Sequence, residues 1–222
     1  MICPPTPCHC VSLAKRIDHT NVRPDATFRD IQELCREALE LDVRAVCVNP
    51  CYVSYAKKLV GDELLVCAAI DLPFGSSKME VKRRAVEVAI ADGADEVDYV
   101  VNIGMLKGGF LDYVAREVRE VLKGAGGRVV KAIIEVGYLT VEEMESVAVR
   151  LAEAGVHYVK TCTGYGPRGV TVEDVFVLKR ALRGRAGIKA AGGVRDLRAA
   201  QALIDAGADI IGTSAARRIL RP

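Results

Sequence analysis

Charged residues interrupt several short apolar segments of this chain. Lys131 lies in Val-Val-Lys-Ala-Ile-Ile-Glu, Lys160 in Tyr-Val-Lys-Thr and Lys189 in Gly-Ile-Lys-Ala-Ala; Asp18 and Asp98 lie in comparable runs. An isolated charge is costly to bury, so these residues need partners or a function. An amine that is removed from water, or that lies beside other positive charges, has a lowered pKa. A lysine that is neutral near pH 7 is a nucleophile that can attack a carbonyl group.

The same residues also have a purely structural interpretation, in which an ion-pair network fills the interior of the protein. Lys131 and Glu135 could form one supporting pair of such a network. Three lysines against one nearby aspartate, Asp98, are however a poor arrangement for neutral packing. The sequence therefore favours a reactive lysine.

Glycine-rich segments follow three late apolar segments. They are Thr163-Gly164-Tyr165-Gly166, Gly192-Gly193-Val194-Arg195 and Gly212-Thr213-Ser214. Backbone N–H groups in such loops, and the N-terminus of a following helix, can bind a phosphate. A single glycine pair is more often a tight turn, but three such loops indicate a phosphate site.

Eight strand-like runs, which alternate with amphipathic helical segments, must position these residues. The runs cover residues 17–20, 44–49, 64–71, 96–102, 129–135, 157–163, 187–191 and 209–213. Thr140 and Thr171 precede acidic residues as helix N-caps, and glycines such as Gly155 follow helix ends. Repeated βα units imply a parallel sheet. Eight of them in one domain predict an α/β fold, a single (β/α)₈ TIM barrel over residues 13–222, with a doubly wound open sheet as the alternative.

In such a barrel, Asp98, Lys131, Lys160 and Lys189 lie on four neighbouring strands. Because side chains alternate along a strand, all four can point at the barrel axis. The active site of this fold lies at the carboxyl ends of the strands, where the glycine-rich loops are also expected.

Composition excludes several classes of protein. The formal net charge of 222 residues is +2, and basic and acidic residues are interspersed, so no nucleic-acid or membrane surface is expected. No secretory signal or membrane-length apolar run is visible, which predicts a cytoplasmic protein. Cys3, Cys8, His9 and Cys10 cluster in the first twelve residues, which are otherwise interpreted as a loosely ordered tail.

Eight stretches together match a known family. They are Ile-Asp-His-Thr at 17–20, Val-Cys-Val-Asn-Pro at 46–50, Phe-Gly at 74–75, Glu-Val-Asp-Tyr-Val-Val-Asn-Ile-Gly at 96–104, Lys-Ala-Ile-Ile-Glu at 131–135, Val-Lys-Thr-Cys-Thr-Gly at 159–164, Lys-Ala-Ala-Gly-Gly-Val-Arg at 189–195 and Gly-Thr-Ser at 212–214. With these stretches, the chain resembles the deoxyribose-phosphate aldolases from Ile17 to Ser214.

The resemblance implies a role for each matching residue. Lys160 would form a Schiff base with acetaldehyde, Lys189 would tune it electrostatically, and Asp98 would assist proton transfer. The expected substrate-binding residues are Asp18, Thr20, Cys47, Lys131, Thr163, Gly164, Gly192, Gly193, Gly212, Thr213 and Ser214. No metal and no cofactor are expected, because the protonated imine is the electron sink.

The chain departs from the family pattern in three places. Cys162 stands where the motif usually has serine, and Ala216 stands where glycine is common after the Gly-Thr-Ser turn. The chain ends at Pro222, without the tail with a terminal tyrosine that some members have.

The implied function is the reversible cleavage of 2-deoxy-D-ribose 5-phosphate to D-glyceraldehyde 3-phosphate and acetaldehyde. The expected partners are a phosphorylated sugar, a small aldehyde and further copies of the chain in a homo-oligomer. One alternative is another lysine-dependent barrel aldolase acting on a ketose phosphate or a keto acid. An alternative of a different class is a metal- or redox-responsive protein that uses the N-terminal cysteines.

Overall fold

Eight parallel strands form a closed barrel in the computed structural model, which describes residues 13–221. Strands β1 to β8 cover Ile17–Asn21, Ala45–Val48, Leu65–Ile70, Glu96–Val100, Val129–Ile133, Tyr158–Lys160, Gly187–Ala191 and Ile210–Thr213. Each strand pairs in parallel with the next, and β1 also pairs with β8, which closes the sheet. The predicted TIM barrel is confirmed, and the open sheet is wrong. The N-terminal cysteine cluster and the proposed tail lie outside the described residues.

Helices follow every strand and surround the barrel. Helices α1 to α9 cover Phe28–Glu40, Val53–Val60, Met79–Ala91, Ile103–Lys107, Leu111–Ala125, Val141–Glu153, Val172–Leu182, Leu197–Asp205 and Ala216–Leu220, and short 3₁₀ helices cover Pro50–Tyr52 and Val136–Tyr138. Thr140 and Thr171 cap α6 and α7, each in a capping box with the acidic residue three positions later. The predicted starts of both helices are confirmed.

Alternation along the strands separates an apolar outer face from a more polar inner face. In β5, Val130 and Ala132 belong to the core between barrel and helices, whereas Lys131 points inward. In β2, Val46 and Val48 join that outer core, while Cys47 packs inside with Cys67 and Ala69. The inward residues of different strands therefore meet on the barrel axis. Within residues 13–221, no helix is both long and apolar enough to cross a membrane.

Candidate active site

The charged residues of the strands converge inside the barrel, as their alternation predicts. Oδ2 of Asp98 lies 2.7 Å from Nζ of both Lys160 and Lys189, and its Oδ1 lies 3.1 Å from Nζ of Lys131. Oδ2 of Asp18 lies 2.5 Å from Nζ of Lys189. The register explains the proximity, because Asp98 is the direct partner of Lys131, and Lys160 that of Lys189.

Two further charged residues, Glu96 and Arg44, complete the cluster. Glu96 Oε2 accepts a hydrogen bond from Lys131 Nζ at 2.6 Å. Arg44 donates to Asp18 Oδ1 at 2.7 Å and also to Glu96. The count of three lysines against one aspartate was therefore wrong, since three carboxylates face them. Strand alternation could have indicated Glu96, because it lies two residues before Asp98 and points to the same inner face of the barrel. Arg44 lies just before β2, outside the strand, so alternation could not have indicated it.

Mutual contacts fix the ionisation of the cluster. Burial by itself would raise the pKa of Asp98, but the surrounding lysines, Lys131 foremost, outweigh it and hold that pKa well below its usual range. Burial likewise opposes ionisation of Asp18, yet the nearby cations, Lys189 foremost, lower its pKa to about 2. For Lys189 and Lys131, burial lowers the pKa, but the carboxylates reverse the sign and raise both pKa values above the ordinary lysine range. Both amines are therefore ammonium ions, and both aspartates are carboxylates.

Lys160 differs from the other two lysines in its access to solvent. Lys131 and Lys189 are fully buried, whereas Lys160 borders a cavity of about 520 Å³ at the carboxyl ends of the strands. Of the three amines, that of Lys160 is thus the one in position to meet a substrate.

The loops after β1, β6, β7 and β8 form the walls of this cavity. Eight of the predicted substrate-binding residues border it: Thr20, Thr163, Gly164, Gly192, Gly193, Gly212, Thr213 and Ser214. Asp18, Cys47 and Lys131 do not border the cavity and are fully buried. Arg23 and Arg195, which were not among the predicted site residues, also border the cavity. Arg195 is the last residue of the Gly-Gly-Val-Arg stretch, so the sequence could have indicated it. Its positive charge suits an anionic ligand.

Glycine has a structural reason at two positions of these loops. Gly192 has a φ of +98°, and a Cβ there would lie 2.8 Å from Cβ of Cys162, so the two strand ends approach too closely for any other residue. Gly164 has a φ of +94°, and a Cβ there would project into open space. Its backbone is therefore accessible to a ligand in the cavity.

Threonine hydroxyls hold the loops in shape. The Thr163 hydroxyl donates to Glu135 and accepts from the backbone N–H of Tyr165 at 3.0 Å. The Thr213 hydroxyl donates to the carbonyl of Val194 at 2.7 Å and so joins the loops after β7 and β8. Lys131 pairs instead with Glu96 and Asp98, so the suggested pairing of Glu135 with Lys131 is wrong.

Two thiols lie under the cluster. Cys67 Sγ donates to Asp98 Oδ1 at 3.0 Å, and Cys47 Sγ lies 3.9 Å from Asp98 Oδ2. The ligand atoms of these three residues lie within 4.8 Å of one another, a grouping that their sequence spacing did not reveal. Asp98 already accepts hydrogen bonds from the ammonium groups of Lys131 and Lys189, and their charge opposes the entry of a metal cation.

Comparison with protein families decides what kind of catalyst this barrel is. The model of the DeoC/LacD aldolases matches residues 12–221. The chain belongs to this aldolase family. The match spans every strand that contributes to the lysine cluster and every loop that borders the cavity, so membership applies to the whole site.

Individual aldolases agree with this assignment over nearly their full length. A deoxyribose-phosphate aldolase of Dictyoglomus turgidum is 46% identical over 209 residues, covering 94% of this chain and 95% of the relative. The solved structure of an aldolase called QR15 has a TM-score of 0.91 at 38% identity, with 95% of each chain covered. The deoxyribose phosphate aldolase from Aeropyrum pernix, described as a unique tetramer, has a TM-score of 0.89 at 33% identity, covering 95% of this chain and 90% of that one.

Proposed function

We propose that this aldolase reversibly cleaves 2-deoxy-D-ribose 5-phosphate to D-glyceraldehyde 3-phosphate and acetaldehyde through a Schiff base on Lys160. The observation that carries the proposal is that Lys160, among the three clustered lysines, borders the cavity, while the other two are fully buried. The names of the relatives support the choice of substrate, and the arginines and glycine-rich loops around the cavity suit its phosphate.

In the cleavage direction, the neutral amine of Lys160 attacks the aldehyde carbon of the open-chain sugar, and loss of water leaves a protonated imine. The bond between C2 and C3 then breaks, its electron pair moves toward the imine to give an enamine, and the C3 hydroxyl loses its proton to form the aldehyde of the first product. Protonation of the enamine and hydrolysis release acetaldehyde and restore the amine.

The surrounding residues have distinct parts in this proposal. Asp98, 2.7 Å from Nζ of Lys160, assists proton transfers at the imine nitrogen. The ammonium group of Lys189 contacts the same carboxylate oxygen and disfavours protonation of the free amine of Lys160. Thr20 and Thr163 border the sugar, and the backbones of Gly164, Gly193, Gly212 and Ser214 hold the phosphate.

Trapping of the covalent intermediate tests the proposal. The protein, incubated with acetaldehyde and borohydride, should gain an ethyl group on Lys160, found by peptide mapping, and should cleave 2-deoxyribose 5-phosphate in a separate assay. A label on Lys131 or Lys189 instead would overturn the assignment of the nucleophile. A protein that is not labelled with acetaldehyde, but is labelled with a ketose phosphate or a keto acid, would be another lysine-dependent aldolase.

Activity should not depend on a metal ion. The protonated imine supplies the electron sink, and the cations around Asp98 disfavour a metal at the grouping with Cys47 and Cys67. We expect the cleavage rate to be unchanged after dialysis against a strong chelator. A large loss that a divalent ion restores would instead indicate a metal-dependent aldolase.

Cys47 should be the residue through which concentrated acetaldehyde inactivates the enzyme. Acetaldehyde condenses to α,β-unsaturated aldehydes, which can bind Lys160 as an imine and accept a nearby thiol at the β carbon. Cys47 Sγ lies 3.9 Å from the Asp98 oxygen that contacts Lys160. The Cys47→Met variant should therefore keep its activity several-fold longer in concentrated acetaldehyde.

The matched control for this prediction is Cys51→Met, since Cys51 is an exposed cysteine of the same chain. Equal decay of the Cys47→Met variant and the parent would disprove the role of Cys47. Protection by Cys51→Met instead would show that general thiol modification is the cause.

We further propose that the protein assembles as a homo-oligomer, in line with the Aeropyrum pernix relative described as a tetramer. Its mass in solution, measured by light scattering against the 23.9 kDa chain, tests this expectation.

A further inference from the structure

Six of the charged residues inside the barrel form a closed ring in which positive and negative groups alternate. Arg44 contacts Asp18, Asp18 contacts Lys189, Lys189 contacts Asp98, Asp98 contacts Lys131, Lys131 contacts Glu96, and Glu96 contacts Arg44. Lys160 lies outside the ring and touches it at Asp98.

The ring is electrically balanced without Lys160. Its carboxylates are Asp18, Glu96 and Asp98, and its cations are Arg44, Lys131 and Lys189. Protonation of Lys160 would therefore leave one uncompensated positive charge in a buried cluster, which is unfavourable. If one ring cation were missing, the protonated form of Lys160 would restore the balance and become the favoured state.

Arg44 supplies the third cation from outside the active site. It immediately precedes β2, at the end of the barrel opposite the cavity, and it reaches the first residue of β4, Glu96, and Asp18 near the start of β1. Its side chain is 18% exposed, and it does not border the cavity around Lys160. Arg44 therefore touches no substrate, and any effect on the reaction must pass through the ring.

We propose that Arg44 is a positioning residue that completes this ring and thereby keeps the amine of Lys160 unprotonated. The inference rests on the proposed function, because it requires Lys160 to be the nucleophile. Within residues 13–221, the thiols of Cys47 and Cys67 also contact the cluster. Cys67 donates a hydrogen bond to Asp98, which requires the protonated thiol, so it adds no charge.

The test is the rate of borohydride-trapped ethyl label on Lys160 as a function of pH. The reacting species is the unprotonated amine, so the rate rises with pH through a midpoint. Arg44→Met removes a cation and should move that midpoint upward by about one pH unit, with a roughly tenfold loss of rate below it. Arg44→Lys keeps the charge and should keep the midpoint near that of the parent.

Glu96→Gln provides the opposite change, because it removes a ring carboxylate. Its midpoint should move downward, and the double variant Arg44→Met/Glu96→Gln, which is balanced again, should return toward the parent. Arg180→Met, an exposed arginine that pairs with Glu145 on the outer helices, has the same change in net charge and should leave the midpoint unmoved.

A lower rate for Arg44→Met with an unchanged midpoint would show that Arg44 only packs, and would overturn the inference while the proposed function stands. Shifts of Arg44→Met and Glu96→Gln in the same direction would also overturn it. If Arg44→Met does not fold, as judged by circular dichroism, Glu96→Gln decides the test. An unmoved midpoint in that variant would overturn the inference, while the proposed function would stand. A parent that forms no label on Lys160 overturns both the proposed function and this inference.

Discussion

Replacing Lys160 with leucine should abolish the acetaldehyde adduct at every pH and lower the cleavage rate by at least about 10³-fold. Of the three lysines in the cluster, Lys160 is the one that borders the cavity. Lys131 and Lys189 are each held as ammonium ions by carboxylates. Neither can replace it, because an ammonium group has no lone pair with which to attack a carbonyl. The measurement is the yield of borohydride-trapped label from acidic to alkaline pH.

The Lys131→Leu variant is the matched control, since it also removes a lysine from the cluster but leaves Lys160 in place. Peptide mapping should still find its adduct on Lys160 at alkaline pH. An adduct in the Lys160→Leu variant, at any pH, would mean that another lysine of the barrel is the nucleophile.

Replacing Lys189 with leucine should slow adduct formation about a hundredfold at neutral pH and leave it largely intact at alkaline pH. Lys189 and Lys160 share the same oxygen of Asp98, and Lys189 is fully buried as an ammonium ion. Removing this charge leaves the Asp98 carboxylate to stabilise a proton on Lys160. Because the unprotonated amine is the reacting form, the midpoint of the pH–rate curve should move upward, by about two units.

The recovery at alkaline pH separates this effect from the loss of the nucleophile in the Lys160→Leu variant. Lys189→Leu also leaves Asp18 short of a buried partner, so the folded fraction must be followed by circular dichroism at each pH. A variant that forms adduct at pH 7 as fast as the parent would show that Lys189 does not tune Lys160. Its role would then be in packing.

The fold could be predicted because its signals are local. A short apolar run indicates each strand. Apolar residues at three- and four-residue spacing indicate the helices, and the N-caps Thr140 and Thr171 mark where two of them begin. The ends of strands are harder to predict: the run at 157–163 contains a strand of three residues, Tyr158–Lys160, and its last residue, Thr163, already borders the cavity. Hydrophobicity does not distinguish a buried strand from a buried loop that continues it.

The charge partners could not be predicted in the same way. The interpretation of Lys131 and Glu135 as a pair used nearness in sequence, but Glu135 has a φ of +50° and turns toward Thr163. The thiols of Cys47 and Cys67 and the carboxylate of Asp98 meet although the residues lie on three different strands. Sequence spacing says little about contacts across a barrel, where every strand faces several others.

The sequence by itself determined that eight βα units follow one another, that lysines and aspartates point to one face of their strands, and that glycine-rich loops end the late strands. Closure of the barrel decided the rest. The pairing of β1 with β8 brings Asp18 within reach of Lys189, 171 positions away, and the stagger of the strands sets the height of each side chain on the axis. In the closed barrel Lys160 borders the cavity, whereas Lys131 and Lys189 remain buried. This arrangement depends on hydrogen bonds between distant segments, which no single segment encodes.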